Sequence, residues 1–256
     1  TESAKDFGSK ALDTDALGRV WAGTNDGVLR FDPDSERFTE FKSKTPRMGK
    51  NGLGATYGIA GDKEGNVWYT AHRSPYNGAL DPKTGNVKWK TFAIPAPGEP
   101  GSETWKDKNN AWQTGGGAFY VTGSYDPQTN LTYWGSGNPA PGYDASYRPG
   151  DNLFTDSAIA FDVKDGKMRW YFQYTPNENM DYDETGTHII VDAKVDGVER
   201  KLLSHAARNG FQYTFDRVNG QFLKATQYVG KVTWTKGIDP KTGKPVDYDP
   251  TKDLQL

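Results

Sequence analysis

The sequence AFDVKDGKMRW (Ala160–Trp170) decides the fold, because its order of residues occurs four times along the chain. Each copy contains an apolar strand that ends in aspartate, a short turn with glycine or aspartate, and then an aromatic residue. The other copies are RFDPDSERF (Arg30–Phe38), ALDPKTGNVKW (Ala79–Trp89) and TFDRVNGQF (Thr214–Phe222). In such a unit the turn residues close a hairpin and the aromatic side chain packs between neighbouring sheets.

A second similarity gives the repeat its length. GRVWAGT (Gly18–Thr24) matches GNVWYTA (Gly65–Ala71) at an offset of 47 residues. Periods in the forties with one tryptophan per unit are typical of β-propeller blades. We therefore predict an all-β fold, a β-propeller with tryptophan-docking repeats and four or five blades. An ordinary β-sandwich with frequent turns is the alternative, and the matched aromatic residues favour the propeller.

Composition excludes several classes of protein. The formal net charge is -2 and no basic stripe is present, which argues against a nucleic-acid partner. No apolar run approaches the length of a membrane span, so no membrane span is expected. The absence of cysteine excludes disulfides and thiolate metal sites.

The blade count bears on assembly and on domains. Four or five blades that do not close a ring expose sheet edges. We expect the chain to close as a small propeller, to pair with another chain as an oligomer, or to be part of a longer protein. The proline- and glycine-rich segment 93–104 is a linker candidate. It divides a first region, residues 1–93, from a second region, residues 94–256.

Four polar residues at predicted strand ends are candidates for chemistry. Asn138 follows the strand LTYWG, and its amide oxygen suits a hard cation. Asp181 and Asp183 alternate in MDYDE, and in an extended segment they would face the same side. Arg208 precedes the strand GFQYTF and suits a carboxylate or a quinone oxygen. Tyr120, predicted within a glycine-rich strand that begins at GGG, offers a flat face for stacking.

Each candidate also has a structural alternative. These alternatives are an asparagine that satisfies its own turn, a solvated acidic loop, a routine ion pair and a core aromatic residue. His205 is expected to be a structural hydrogen-bonding residue. No catalytic triad, P-loop or dinucleotide fingerprint is present.

Long motifs in the second region resemble the dehydrogenases that depend on pyrroloquinoline quinone (PQQ) and oxidise methanol and other alcohols. The resemblance covers about residues 101–247. The matching motifs are WQTGGG, TGSYDPQTNLTYWGSGNPAP, YRPGDNLFTDSAIAFDVKDGKMRW, TP…DYD, LLSHAARNGFQYTFDRVNG and TKGIDPKTGKPV. The resemblance implies an eight-bladed propeller that holds PQQ above Ca²⁺ or a lanthanide ion.

The resemblance also implies roles for the candidate residues. Asn138 corresponds to the metal-binding asparagine, Asp181 to the catalytic base, and Arg208 to the arginine at the quinone oxygens. Asp183 corresponds to the extra carboxylate of the lanthanide-dependent branch, so the implied metal ligands are Asn138, Asp181 and Asp183. Tyr120 stands where the family has an aromatic residue, usually tryptophan, under the PQQ ring.

The implied function is oxidation of a primary alcohol, with electrons passed to a cytochrome c in the periplasm or outside the cell. Residues 10–93 are similar instead to blades of the streptogramin (virginiamycin B) lyase group. No glutamate metal ligand of the dehydrogenase family is recognised in residues 1–100. A non-catalytic propeller for binding or assembly, and a lyase-like enzyme, are therefore the alternative functions.

Overall fold

The structure is a computed structural model of the 256-residue chain. It describes residues 12–24, 27–42, 56–61, 66–71, 76–81, 83–84, 86–113, 115–121, 123–195 and 197–255. The chain divides into two compact units, which are described separately. The first unit comprises Thr1–Phe92 with Ala118–Thr122, and the second comprises Ala93–Gly117 with Gly123–Leu256.

The first unit contains two four-stranded antiparallel sheets, each with its strands in chain order. The strands of one sheet are β1 (Leu12–Thr14), β2 (Val20–Thr24), β3 (Gly27–Asp32) and β4 (Arg37–Lys42). The strands of the other are β5 (Thr56–Gly61), β6 (Val67–Ala71), β7 (Tyr76–Leu80) and β8 (Val87–Phe92). Both sheets contribute to one buried apolar cluster, which contains Trp21, Val28, Ile59, Val67, Tyr69 and Leu80.

The second unit repeats this arrangement with two more antiparallel sheets in chain order. One contains β9 (Ser124–Asp126), β10 (Leu131–Gly135), β11 (Ser157–Asp162) and β12 (Met168–Gln173). The other contains β13 (Ile189–Val195), β14 (Val198–Ala206), β15 (Phe211–Asp216) and β16 (Phe222–Gln227). Among the described residues, three single-turn 3-10 helices lie between strands, at Ser102–Thr104, Ala111–Gln113 and Ala145–Tyr147.

The four sequence repeats are the hairpins between the third and fourth strands of the four sheets. In each hairpin the aspartate at the end of the third strand, or directly after it in the case of Asp81, accepts a hydrogen bond from the backbone amide two residues later. The four amides belong to Asp34, Lys83, Lys164 and Val218, at 2.8 to 3.1 Å from the carboxylate oxygen. An aspartate that bonds to its own turn in this way fixes the hairpin locally, which is why the pattern is readable from sequence.

The repeated aromatic residue packs against the glycine of the next turn in the second unit. Gly220 has φ +76, and a Cβ there would lie 2.6 Å from the Trp170 ring. Gly243, with φ +72, stands in the same relation to Phe222. The Trp170 indole N–H also donates to the Arg217 carbonyl over 3.0 Å. These contacts are the tryptophan docking predicted from the repeats.

A cluster of aromatic side chains forms the core of the second unit. Tyr133, Tyr213 and Phe215 are fully buried in it. Arg217 is also buried, and its guanidinium pairs with Asp126 over 2.7 Å and with Asp192. Burial alone would raise the pKa of Asp126, but the hydrogen bonds from Arg217, Gln128 and Thr129 outweigh it and the pKa is lowered.

The predicted fold class is confirmed. Within the described residues the structure consists of four four-stranded meanders, the unit from which propellers are built, and no α-helix is present. None of its helices is long and apolar enough to cross a membrane, for the residues described.

The prediction of a strand from the GGG segment through Tyr120 is wrong. Gly115, Gly116 and Gly117 have φ of 106°, 92° and 60°, which is outside the extended region. Only an isolated bridge forms, between Gly116 and Pro139. A Cβ at Gly116 would lie 2.6 to 2.7 Å from the backbone of residues 138–140, so glycine is needed for this close approach.

Candidate functional site

Asn138 lies three residues beyond the end of β10, as the sequence predicted. Its carbonyl accepts the Gly117 amide over 2.9 Å, and its side-chain Nδ2 donates to the Pro139 carbonyl over 3.1 Å. Asn138 is half-buried, and among the described residues no hydrogen bond to its amide oxygen Oδ1 is seen. An amide oxygen without a donor is a suitable ligand for a hard cation.

Asp181 and Asp183 reach the Asn138 loop, but not in the way that the sequence suggested. The prediction that they alternate along an extended segment is wrong, because their φ angles are 62° and 38°. Both are therefore in the left-handed region, where aspartate is tolerated better than most residues. The Asp183 carboxylate accepts the Asn138 backbone amide over 2.9 Å. Left-handed backbone conformations at both residues, not strand alternation, bring these carboxylates towards the Asn138 loop.

Gly142 and Tyr143 connect Asn138 to Asp181. A Cβ at Gly142 would lie 2.9 Å from Asn138 Nδ2 and 4.0 Å from Asp181 Oδ1, so this glycine backbone faces both side chains. The Tyr143 hydroxyl donates to Asp181 Oδ2 over 3.3 Å, although its side chain is 76% exposed. The negative charge of Asp181 raises the pKa of the Tyr143 phenol.

Arg208 comes before β15, as predicted, and its side chain remains 57% exposed. One guanidinium nitrogen, Nη1, lies 3.6 Å from Asp183 Oδ2, a long ion pair that leaves other donors available. Its backbone amide donates to Glu184 over 3.0 Å. The same buried carboxylate bonds His205 Nε2 at 2.9 Å. His205 therefore helps to fix the base of the Arg208 loop, in line with its predicted structural role.

Two fully buried carboxyl groups, Asp156 and Glu178, interact electrostatically with this acidic region. Burial raises the pKa of Glu178 to about 7, against the hydrogen bonds from the Met180 and Tyr182 amides. Burial and the charge of Glu184 raise the pKa of Asp156 well above its usual range. Neither Asp156 oxygen has a hydrogen bond of ordinary geometry, since the contact with Thr175 falls outside it.

The remaining predicted site residue, Tyr120, belongs to the first unit. Its proposed role beneath the cofactor ring therefore stays a prediction. The sequence patterns did not single out Tyr143, Gly142, Arg148 or Asp156. The loop PAPGYDASYRPGDN, with its prolines and glycines, carries no periodic signal that would have pointed to the first three.

The oxygen atoms of the three predicted metal ligands are of the type that hard cations prefer. Asn138, Asp181 and Asp183 together offer one amide and two carboxylate groups, which are the oxygen ligands that Ca²⁺ and lanthanide ions prefer. Within the described residues, no group of three or more histidine, aspartate or glutamate side chains could hold a metal ion. The predicted ligand set differs from such a group because it contains an amide.

Comparison with known proteins identifies the family. The family described as glucose/ethanol/alcohol dehydrogenase, beta-propeller domain (PQQ) matches residues 58–229. The chain belongs to this family, as its motifs predicted.

Individual relatives agree with this assignment. The quinoprotein alcohol dehydrogenase PedH of Pseudomonas putida is 43% identical over 155 residues, which are 60% of this chain and 25% of PedH. The quinohemoprotein alcohol dehydrogenase of Comamonas testosteroni is 35% identical over 225 residues, 83% of this chain and 29% of that protein. A solved europium-containing methanol dehydrogenase has a TM-score of 0.78 and 29% identity, covering 90% of this chain and 43% of that one.

The chain spans less than half the length of each of these proteins. The family match begins at residue 58, inside the region that was expected to resemble lyase blades. The division into residues 1–93 and 94–256 of different type stays a prediction.

Proposed function

We propose that this chain forms the part of a PQQ-dependent alcohol dehydrogenase that contributes the catalytic base and cation ligands, and that the enzyme oxidises a primary alcohol. The observation that carries the proposal is a continuous set of close approaches among five residues, which come from three separate segments of the chain. Asp183 bonds the Asn138 amide and approaches Arg208, while Gly142 faces both Asn138 and Asp181. The family membership supports the same function.

Asn138, Asp181 and Asp183 would hold the cation. The amide oxygen of Asn138 and the two carboxylates are ligands that suit a hard ion, and the absence of a side chain at Gly142 avoids a contact of 2.9 Å with Asn138 Nδ2. A trivalent ion needs more negative charge than Ca²⁺, so the second carboxylate, Asp183, favours a lanthanide. The europium-containing neighbour is consistent with that choice.

Arg208 would bind the quinone end of PQQ. Its guanidinium is exposed and holds Asp183 by one long contact, so its remaining N–H groups can bond quinone oxygens. When bound, PQQ would supply the electrophilic carbon that accepts a hydride, with the cation polarising its carbonyl. Arg208 would stabilise negative charge that develops on those oxygens.

Asp181 would take the hydroxyl proton of the alcohol while the hydride leaves the alcohol carbon. The proton moves to the carboxylate, and the alcohol becomes an aldehyde. The Tyr143 hydroxyl, 3.3 Å from Oδ2, orients that carboxylate and forms an exposed aromatic wall next to it. We propose further that electrons pass to a cytochrome c, that the protein is periplasmic or secreted, and that it pairs with other propeller blades.

The test is cofactor uptake by the purified chain. PQQ is added with Ca²⁺ or with La³⁺, bound quinone is measured by absorbance after gel filtration, and dye-linked ethanol oxidation is assayed. Uptake with at least one ion, and ethanol-dependent dye reduction, are expected. No uptake with either ion would contradict the proposal for this chain and favour a non-catalytic blade.

A further inference from the structure

Arg148 is a buried cation to which the proposed function assigns no role. It is fully buried, and burial lowers its pKa to about 10. Burying a guanidinium is costly unless its donors are satisfied. The Arg148 guanidinium donates four hydrogen bonds, and three of the acceptors are backbone carbonyls rather than carboxylates. Such an arrangement holds the backbone in place more than it neutralises charge.

The carbonyls that Arg148 binds belong to two different loops. Nε donates to Pro141 over 3.0 Å and Nη2 to Gly142 over 3.1 Å, both in the loop that follows Asn138. Nη2 also donates to the carbonyl of Glu178, which comes three residues before Asp181. One guanidinium group thus joins the two loops that carry the candidate cation ligands.

Gly142, whose carbonyl Arg148 binds, lies next to two of the candidate cation ligands. Its backbone lies against Asn138 Nδ2 and towards Asp181 Oδ1. A shift of the Gly142 carbonyl would therefore change the space between the amide and the carboxylate.

Arg148 is itself held rigidly. Its Nη1 donates to Asn152 Oδ1 over 2.9 Å, and Asn152 Nδ2 returns a bond of 2.9 Å to the Arg148 carbonyl. Asn177 Nδ2 donates to the Gly150 carbonyl over 2.8 Å. Asn152 and Asn177 are fully buried, with φ of 58° and 54°, which asparagine adopts more readily than most residues.

We propose that Arg148 is a positioning residue that holds the loop after Asn138 and the loop before Asp181 at a fixed separation. The importance of that separation rests on the proposed function. Lysine cannot replace arginine here, because an ammonium group is a point donor and cannot reach carbonyls on both loops in a fixed fork.

Amide hydrogen exchange tests this directly. The segment 137–143 contains the Asn138 amide, which donates to Asp183, and the segment 178–183 contains the Met180 and Tyr182 amides, which donate to Glu178. In Arg148→Lys, both segments are expected to exchange about tenfold faster, while β10–β12 keep their protection. The matched control is Arg217→Lys, which alters another buried arginine, bound to Asp126 and Asp192, and should leave both segments unchanged.

A milder variant covers the case in which Arg148→Lys does not fold. Asn152→Gly removes one Arg148 acceptor and keeps a residue that adopts positive φ. It should accelerate exchange in the same two segments, by about threefold. Unchanged exchange in both segments, or a uniform rise that includes β10–β12, would overturn the proposal.

Ion binding distinguishes this proposal from the proposed function. By calorimetry, the La³⁺ dissociation constant should rise about tenfold in Arg148→Lys and stay within about twofold in Arg217→Lys. If the unaltered chain takes up neither La³⁺ nor Ca²⁺, the proposed function fails, and the exchange experiment still decides the role of Arg148.

Discussion

The backbone amide of Asn138 donates to the carboxylate of Asp183 over 2.9 Å, although the two residues lie 45 positions apart in the chain. The other oxygen of the Asp183 carboxylate lies 3.6 Å from Arg208 Nη1, so Asp183 contacts both residues. The carboxylate therefore links the loop after β10 to the residue that precedes β15.

For Asp183 we predict that Asp183→Asn changes the choice of ion. Asparagine keeps an oxygen that can accept the Asn138 amide, so the loop is retained, but the negative charge is lost. La³⁺-supported ethanol oxidation should fall by at least about tenfold, while any Ca²⁺-supported activity is largely kept. Parallel assays with the two ions check this, and equal loss with both would mean that Asp183 is structural.

For Asp181 we predict a loss of turnover without a loss of fold. Asp181→Asn removes the proton acceptor and should lower kcat by about 10²- to 10⁴-fold, the usual range for a general base. Asp165→Asn, in the exposed turn between β11 and β12, is the control and should keep full activity. Single-turnover measurements with the alcohol make the comparison. A kcat within about twofold of the unaltered chain would remove Asp181 from its proposed role.

The phenol of Tyr143 should report the charge of Asp181. Its pKa is raised by that carboxylate, because an adjacent negative charge disfavours the phenolate. In Asp181→Asn the charge is gone, and the pKa should move down towards about 10. Titration by NMR with ring-labelled tyrosine measures this shift. An unchanged Tyr143 pKa would show that the two side chains are apart in solution.

Glu178 should make stability depend on pH. Its pKa is about 7 in the folded protein against an ordinary value of 4.5, so the folded state keeps this proton to higher pH than the unfolded chain does. The contribution is fully present below about pH 4.5 and is lost as the pH rises through about 7. Its size is on the order of 3 kcal/mol.

Glu178→Gln keeps the acceptor for the Met180 and Tyr182 amides but cannot ionise. Urea unfolding at pH 5 and pH 8 should therefore show a smaller fall in the free energy of unfolding for this variant. Asp156, whose pKa is also raised, should leave a residual fall of the same sign. Identical pH dependence in the two proteins would contradict the assignment to Glu178.

The contact between Trp170 and Gly220 should contribute to the free energy of unfolding. Gly220→Ala places a methyl group 2.6 Å from the indole and also imposes the cost of φ +76. Gly197→Ala, at φ +81 with nothing within 4 Å, carries the backbone cost alone. Thermal unfolding should show Gly220→Ala as less stable than Gly197→Ala by about 1–3 kcal/mol. Equal losses would mean that the ring has room to move.

The blades could be predicted from the sequence because each is fixed by local chemistry. Asp162 and Asp216 bond to amides in their own turns, and the aromatic residues follow at set positions. The strand prediction for the GGG segment was wrong because the backbone there is determined by close approach to the distant residues 138–140, not by local chemistry. Asp181 and Asp183 were candidates from the pattern MDYDE and received their roles from the family resemblance, while their geometry comes from left-handed backbone conformations that alternation does not predict.

Arg148 and Gly142 could not have been found by pattern alone. Arg148 binds carbonyls, and any residue provides a carbonyl, so the partners leave no trace in the sequence. Gly142 lies next to side chains on two separate loops, those of Asn138 and Asp181. The roles of both residues therefore depend on tertiary contacts.

The central claim is that Asn138, Asp181 and Asp183 bind one hard cation. Anomalous diffraction from crystals grown with La³⁺ and PQQ tests it most directly. We expect one strong peak at about 2.3–2.6 Å from the Asn138 amide oxygen and from carboxylate oxygens of both aspartates. Crystals that diffract well and show no peak there, or a peak only at other residues, would contradict it.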